Sequence, residues 1–294
     1  MLSIVVVLQT PPISIASSHS MEQNVSAPPS DTDDSEINVK LLEAFTVEQS
    51  ASHIEVANKN RIYVTRWTYD DSGAITTFDG SGNKVKFIKG SRHNYSGITL
   101  SKLGYIFALN TSKHRIEEYN GANGKAIKYM KLDLCRDPQA IDMMPSGEVL
   151  VVDQEGNAVI LYPNVKSGKP KVIKHEEIRE PYDIACVDNA FYVTCAATKC
   201  VLKMSVAGEL LWSYGTKSTK GKLKKPQGVC TDEDGKLYVV DANGILVFSE
   251  DGELEGRLYE KQTAQTRKPW YISVRDGLIA VLCDRNVVKL YQRL

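Results

Sequence analysis

Four ionisable residues in this sequence have the types and spacing that chemistry needs: His53, Glu55, Asp142 and Asp183. Each sits beside an aliphatic residue in a short extended run. His53 and Glu55 flank Ile54, Asp142 follows Ile141, and Asp183 precedes Ile184. Carboxylates and an imidazole converging from several strands can ligate a metal or move a proton. The other histidines point elsewhere: His93, His114 and His175 fall in predicted loops and His19 lies near the N-terminus, so a three-histidine zinc site is not expected. The chain has no G-x-S-x-G turn, no phosphate-cradling glycine loop and no H-E-x-x-H. Its six cysteines (Cys135, Cys186, Cys195, Cys200, Cys230 and Cys283) form no C-x-x-C pair and read as free buried thiols. Cys195 and Cys200 flank one predicted hairpin and can face each other. No cofactor and no metal are expected.

A second set of residues suits binding. The connector from Lys217 to Lys225 carries five lysines in nine residues: Lys217, Lys220, Lys222, Lys224 and Lys225. Arg92, Arg136, Lys199, Lys268 and Arg285 fall on the same predicted face, and so do the aromatic residues Tyr95, Tyr182, Trp270 and Tyr271. Positive charge follows a phosphate backbone, and flat rings stack bases at about 1–3 kcal/mol each. That combination fits single-stranded RNA, and it fits a protein or peptide equally well. The plainer reading is that the lysines are solvated and the rings pack inside. Glu176, Glu177 and Glu180 dilute the charge.

The elements that must position these residues repeat. From Pro226 to Tyr259, short apolar runs alternate with Gly and Asp punctuation, which predicts four strands joined by turns. The same unit recurs at Ile54, Ile98, Ile141, Ile184, Val229 and Ile272, in steps of 44, 43, 43, 45 and 43 residues. Self-similarity at that period, with four strands per unit, predicts six blades of a β-propeller. The second strand of each unit is apolar almost throughout, as in Leu237-Tyr-Val-Val240, so both of its faces need cover from neighbouring blades. The chain stops after the third strand of the sixth unit. The missing strand is predicted at 39–45, pairing with 287–291 and closing the ring.

Lys plus Arg and Asp plus Glu balance at 36 each over 294 residues. Residues 1–50 hold one Lys and seven acids; the remainder holds 35 basic against 29 acidic residues, a difference of +6. The body, 38–294, is thus a mildly basic ring behind an acidic leader, 1–36, that reads as a disordered linker. The apolar run 3–8 followed by Ala16-Ser-Ser18 loosely resembles a signal peptide, but no positive charge precedes it. The expected location is cytoplasmic, with secretion as the alternative. No apolar run is long enough to span a membrane.

The succession Pro-x-Gly-Val (226–229), Asp-Glu-Asp-Gly (232–235), Leu-Tyr-Val-Val-Asp (237–241) and Asp-Gly (251–252) resembles the NHL repeat. Over about 38–294 the chain is similar to the six-bladed propellers at the C-terminus of tripartite-motif (TRIM-NHL) proteins. Blade three also matches well. Blades one and two depart, with Ala51 and Tyr95 in place of the opening Pro, and Asn110 in place of the Asp that ends the second strand. The resemblance implies a non-catalytic module that binds a protein or single-stranded RNA through one face of the ring. No RING finger is encoded, so the chain is not expected to be an enzyme. The alternative is a metal-dependent hydrolase or lyase of another six-bladed propeller family, built on His53, Glu55, Asp142 and Asp183.

Overall fold

The 43–45-residue repeat folds as four-stranded antiparallel meanders in a computed structural model. The residues described are 35–47, 50–67, 74–89, 94–163, 168–219, 221–242, 244–260 and 267–294. Blade one is β2 (Ala51–Asn58), β3 (Arg61–Arg66), β4 (Ala74–Phe78) and β5 (Lys84–Lys89). Blade two is β6 (Tyr95–Leu100), β7 (Tyr105–Asn110), β8 (Arg115–Asn120) and β9 (Ala126–Lys131). Blade three is β10 (Pro138–Met143), β11 (Val149–Asp153), β12 (Ala158–Tyr162) and β13 (Lys171–Ile173). Blade four is β14 (Pro181–Val187), β15 (Ala190–Cys195), β16 (Cys200–Ser205) and β17 (Leu210–Tyr214). Blade five is β18 (Val229–Thr231), β19 (Leu237–Asp241), β20 (Gly244–Phe248) and β21 (Leu254–Glu260). Blade six is β22 (Pro269–Arg275), β23 (Leu278–Cys283) and β24 (Val287–Arg293), completed by β1 (Glu36–Thr46) from the other end of the chain.

The inner strands form a closed circle. β2 packs on β6, β6 on β10, β10 on β14, β14 on β18, β18 on β22, and β22 back on β2. The second strands supply most of the buried apolar surface; β11, β15, β19 and β23 are buried at every residue. Each hydrophobic cluster spans neighbouring blades, as where Leu150 and Val152 meet Phe191 and Val193. The outer strands face solvent, so β9 is exposed at nearly every position. No described residue lies in a helix, and hence none in a helix long and apolar enough to cross a membrane.

Closure follows the predicted pairing of 39–45 with 287–291 and then exceeds it. β1 pairs antiparallel with β24 from Val39↔Arg293 to Thr46↔Val287, with a bulge between Leu41 and Glu43. Its first residues, Glu36 to Val39, also pair in parallel with Arg257 to Glu260 of β21. Blades five and six are thereby fused into one eight-stranded sheet, beside four sheets of four strands. Most of the predicted leader lies outside the described residues.

Where Asp ends the second strand, in blades three and five, it acts as a clamp. Asp153 Oδ1 accepts the Asp137 and Gly156 amides at 2.9 and 3.1 Å, and Asp241 Oδ1 accepts those of Lys224 and Lys225 at 2.9 and 2.6 Å. Asn110 does the same in blade two, its Oδ1 accepting the Lys113 amide at 3.0 Å. Cys195 and Cys200 are cross-strand partners, buried and free.

Candidate functional site on the propeller axis

Alternation along a strand sends residues i and i+2 to the same side. The residues on either side of the six aliphatic anchors therefore face the axis or the neighbouring inner strand. The residues that follow the anchors are Glu55, Thr99, Asp142, Ala185, Cys230 and Ser273, and together with Arg275 they line an axial chamber of about 150 Å³. The residues that precede them are His53, Gly97, Ala140, Asp183, Gly228 and Tyr271. Blades one and four are three steps apart in a ring of six. The contact between His53 Nε2 and Asp183 Oδ1 at 3.7 Å consequently crosses the channel.

Backbone donors hold the acids in place. Asp183 Oδ2 accepts the Val229 amide of the next blade at 2.9 Å. Asp142 Oδ1 accepts the Thr99 hydroxyl and its neighbour Met143's amide, both at 2.7 Å, while Oδ2 accepts the Cys186 amide of blade four at 2.7 Å. Glu55 Oε2 accepts the Ser273 hydroxyl at 3.2 Å, and Oε1 lies 3.7 Å from the Arg275 guanidinium. The Ser273 oxygen in turn accepts the Val56 amide at 2.9 Å. These side chains staple neighbouring inner strands as well as carrying charge.

Burial dominates the titration of Glu55 and pushes it up to about 7, with Arg275 pulling the other way. Asp142 is raised by burial as well, against the donors that hold it. Burial alone lowers His53, but Asp183, Glu55 and Asp142 outweigh it and the imidazole ends above its ordinary value. Its Nδ1 is buried without a partner. Burial sends the Cys186 and Cys230 thiols well up, so neither is a ready nucleophile.

A divalent cation does not fit this set. Asp142 spends both oxygens on N–H and O–H donors, Glu55 faces a hydroxyl and a guanidinium, and Asp183 gives one oxygen to an amide, leaving only Oδ1, 3.7 Å from His53 Nε2, without a hydrogen bond. Oxygen ligation needs lone pairs converging on one point. Among the described residues, no three His, Cys, Asp or Glu side chains do so.

Aromatic residues cap the channel on the side where the inner strands begin. Tyr271 packs on the His53 ring at 4.8 Å between centroids, and Tyr182 stacks on Tyr271 at 5.7 Å. Beside them, Arg285 and Lys225 lie over the Trp270 ring at 4.3 and 5.1 Å. The structure thus gathers five of the expected partner-binding residues at one mouth. Lys217, Lys222, Lys224, Lys268, Arg136 and Lys199 are exposed. Arg92 and Lys220 lie outside the described residues. Tyr95 is corrected: at 0% exposure it is unavailable at any face. Its hydroxyl donates to Glu117 and bonds the Tyr119 hydroxyl at 2.8 Å, in a hub that Arg115 and Asn110 complete.

Sequence reasoning missed Arg275, Thr99 and Ser273. Thr99 and Ser273 occupy the same repeat position as Glu55 and Asp142, and Arg275 follows two residues after Ser273. Repeat position was the available signal.

No family model matches the chain, and no curated protein matches it by sequence. Solved structures match its fold. The virginiamycin B lyase of Staphylococcus aureus is 15% identical with a TM-score of 0.62, over 85% of this chain and 99% of that one. A streptogramin B lyase is 15% identical at 0.60, over 86% and 97%. A gluconolactonase of Xanthomonas campestris is 14% identical at 0.63, over 85% and 89%. At such identities the likeness establishes a β-propeller fold. The TRIM-NHL propellers that the repeat resembles are not among these neighbours. The expectation of a non-catalytic recognition module, and with it of no enzyme, is corrected on this finding: these three solved propellers of like fold are two lyases and a gluconolactonase. Neither an RNA partner nor a protein partner gains support.

Proposed function

We propose that the chain is an acid–base enzyme, a lyase or hydrolase, that cleaves a C–O bond in the axial chamber without a protein-bound metal. The observation that carries the reading is the arrangement of Glu55 and His53, two residues apart on one strand. Burial raises Glu55 to about 7, neighbouring carboxylates raise His53 above its ordinary value, and Asp183 meets His53 from across the channel. The names of the structural neighbours, two lyases and a gluconolactonase, support the class of reaction.

Glu55, raised to about 7, is the base, and its carboxylate takes a proton from carbon beside a carbonyl or from water. His53, kept protonated by Asp183, is the acid. In elimination the C–H pair becomes a double bond, the C–O bond breaks, and His53 returns a proton to the departing oxygen. In hydrolysis water gives its proton to Glu55 as its oxygen adds to the carbonyl carbon, the tetrahedral adduct collapses with cleavage of the C–O bond, and His53 gives its proton to the departing alkoxide.

The test is turnover of a panel of lactones and esters across pH. The expected kcat/KM profile is a bell, with one limb set by Glu55 ionising near 7 and the other by His53, raised above its ordinary value, losing its proton. Glu55→Gln and His53→Gln should each lower kcat by about 10²–10⁴-fold. Turnover that survives both substitutions rules the assignment out.

A further inference from the structure

The axial chamber does not stand alone. A groove of about 980 Å³ lies between blades two and three, and it shares Leu100, Met143, Cys186 and Arg275 with the chamber. These are residues at or near the ends of the inner strands, so the two spaces meet where the strands leave the axis. We infer that the substrate enters from this end: its reacting group passes Arg275 into the chamber, and a neutral apolar body lies in the groove between blades two and three. The inference rests on the acid–base reading of the chamber and adds a substrate class to it, an amphipathic ester or lactone.

Three observations carry this. The opposite mouth is shut, because Tyr182 stacks on Tyr271, Tyr271 packs on His53, and His53 meets Asp183 across the channel. The chamber, at about 150 Å³, is smaller than the 300–1,000 Å³ typical of small-molecule sites, so it takes only a reacting end. The groove supplies the missing volume. Its wall carries an apolar stretch, with Phe107, Met130 and Met143 half-buried and with Leu103 84% and Tyr129 56% exposed, beside charged residues that include Lys102, Lys131 and Asp133. Large apolar side chains left to water beside a pocket mark a contact surface. The buried acid in the groove, Glu118, is matched by Lys128 at 3.2 Å, so this acid is answered from within the protein and asks for no cation on the substrate. At the junction, the Arg275 side chain is 41% exposed while facing Glu55. It is placed to receive a polar group leaving the groove.

The experiment compares δ-dodecalactone, which has an alkyl tail, with δ-valerolactone, which has none. Calorimetry gives affinity, methyl NMR gives location, and turnover is followed separately. The expected result is tighter binding of δ-dodecalactone, with shifts at the Leu103 and Met143 methyl groups. Leu103→Glu and Tyr129→Glu, both at exposed positions, should keep the wild-type melting temperature and weaken binding by about tenfold or more, as expected for losing apolar contact. Shifts confined to the Tyr182 and Trp270 mouth overturn the inference, as does unchanged affinity in both groove variants or no binding at all. Turnover that persists with unchanged affinity in those variants overturns the groove and leaves the acid–base reading intact. Binding in the groove without turnover keeps the groove and removes the chemistry.

Discussion

A buried carboxyl that titrates near 7 must destabilise the fold at neutral pH, and Glu55 makes that measurable. Its value in the fold is about 7 against an ordinary 4.5. Between those values the unfolded chain has lost the proton and the folded chain keeps it, so stability falls as pH rises. Above 7 the full cost stands, roughly 3 kcal/mol at about 1.4 kcal/mol per unit. His53 acts in the same direction, since a raised imidazole contributes stability below its unfolded value and loses it as pH climbs through the folded one. Glu55→Gln should therefore leave the melting temperature almost unchanged at pH 4.5 and raise it by roughly 5 °C at pH 8. Thermal unfolding at the two pH values decides it, and a gain confined to acid pH refutes the assignment. A residue kept at that cost is what a site built for function predicts. Legibility was uneven at this scale. His53, Glu55, Asp142 and Asp183 were visible as types, but the contact from His53 to Asp183 lies 130 positions apart in sequence and depends on the ring being closed. Tyr95 was readable and misread: its repeat position is held by Ala51, Pro138, Pro181, Pro226 and Pro269 elsewhere, the first four buried and the last half-buried, so an aromatic ring there belongs to the core.

At the scale of elements, the chamber's shape depends on how closely neighbouring inner strands approach, and glycine sets the limit. A Cβ on Gly228 would lie 2.7 Å from Tyr271 Cα and 2.8 Å from the Trp270 carbonyl oxygen, both backbone atoms that cannot swing aside. The Gly228 amide bonds that same carbonyl at 2.9 Å, so β18 and β22 are pinned together at the mouth. Gly228→Ala must push β22 outward and carry Trp270 and Tyr271 with it. The expected outcome is a loss of about 1–3 kcal/mol, typical of overpacking, with a change in Trp270 fluorescence on the Trp67→Phe, Trp212→Phe background. Wild-type stability with unchanged emission would show that the strands have slack. Strand order was plain in the sequence, because apolar runs and Gly–Asp turns repeat every 43–45 residues. The parallel pairing of Glu36–Val39 with β21 was not, since nothing in the repeat anticipates a strand that joins two blades.

For the molecule as a whole, one ribbon converts an arc into a ring. Without β1, blade six would show the unpaired edge of β24, and blade five would lose its link through Arg257 and Ser35, whose carbonyl accepts the Arg257 amide at 2.9 Å. Val39 and Val47, buried against blades five, six and one, would become exposed. Seven residue pairs join β1 to β24, and at roughly 1 kcal/mol per net hydrogen bond the loss is comparable to the whole stability of a domain. A variant lacking residues 1–47 should therefore be largely unfolded or aggregated through its bare edge. The decisive arm is addition in trans. A synthetic peptide of residues 35–47 can add to β24 as a strand, and it should restore a cooperative melt whose midpoint rises with peptide concentration. The same peptide with Val39→Pro should fail, because Val39 pairs with Glu260 of β21 and Arg293 of β24, and proline removes an amide from a strand held on both sides. A truncated chain that melts like the full one, or a peptide without effect, would mean that the inner circle of strands holds the ring closed unaided.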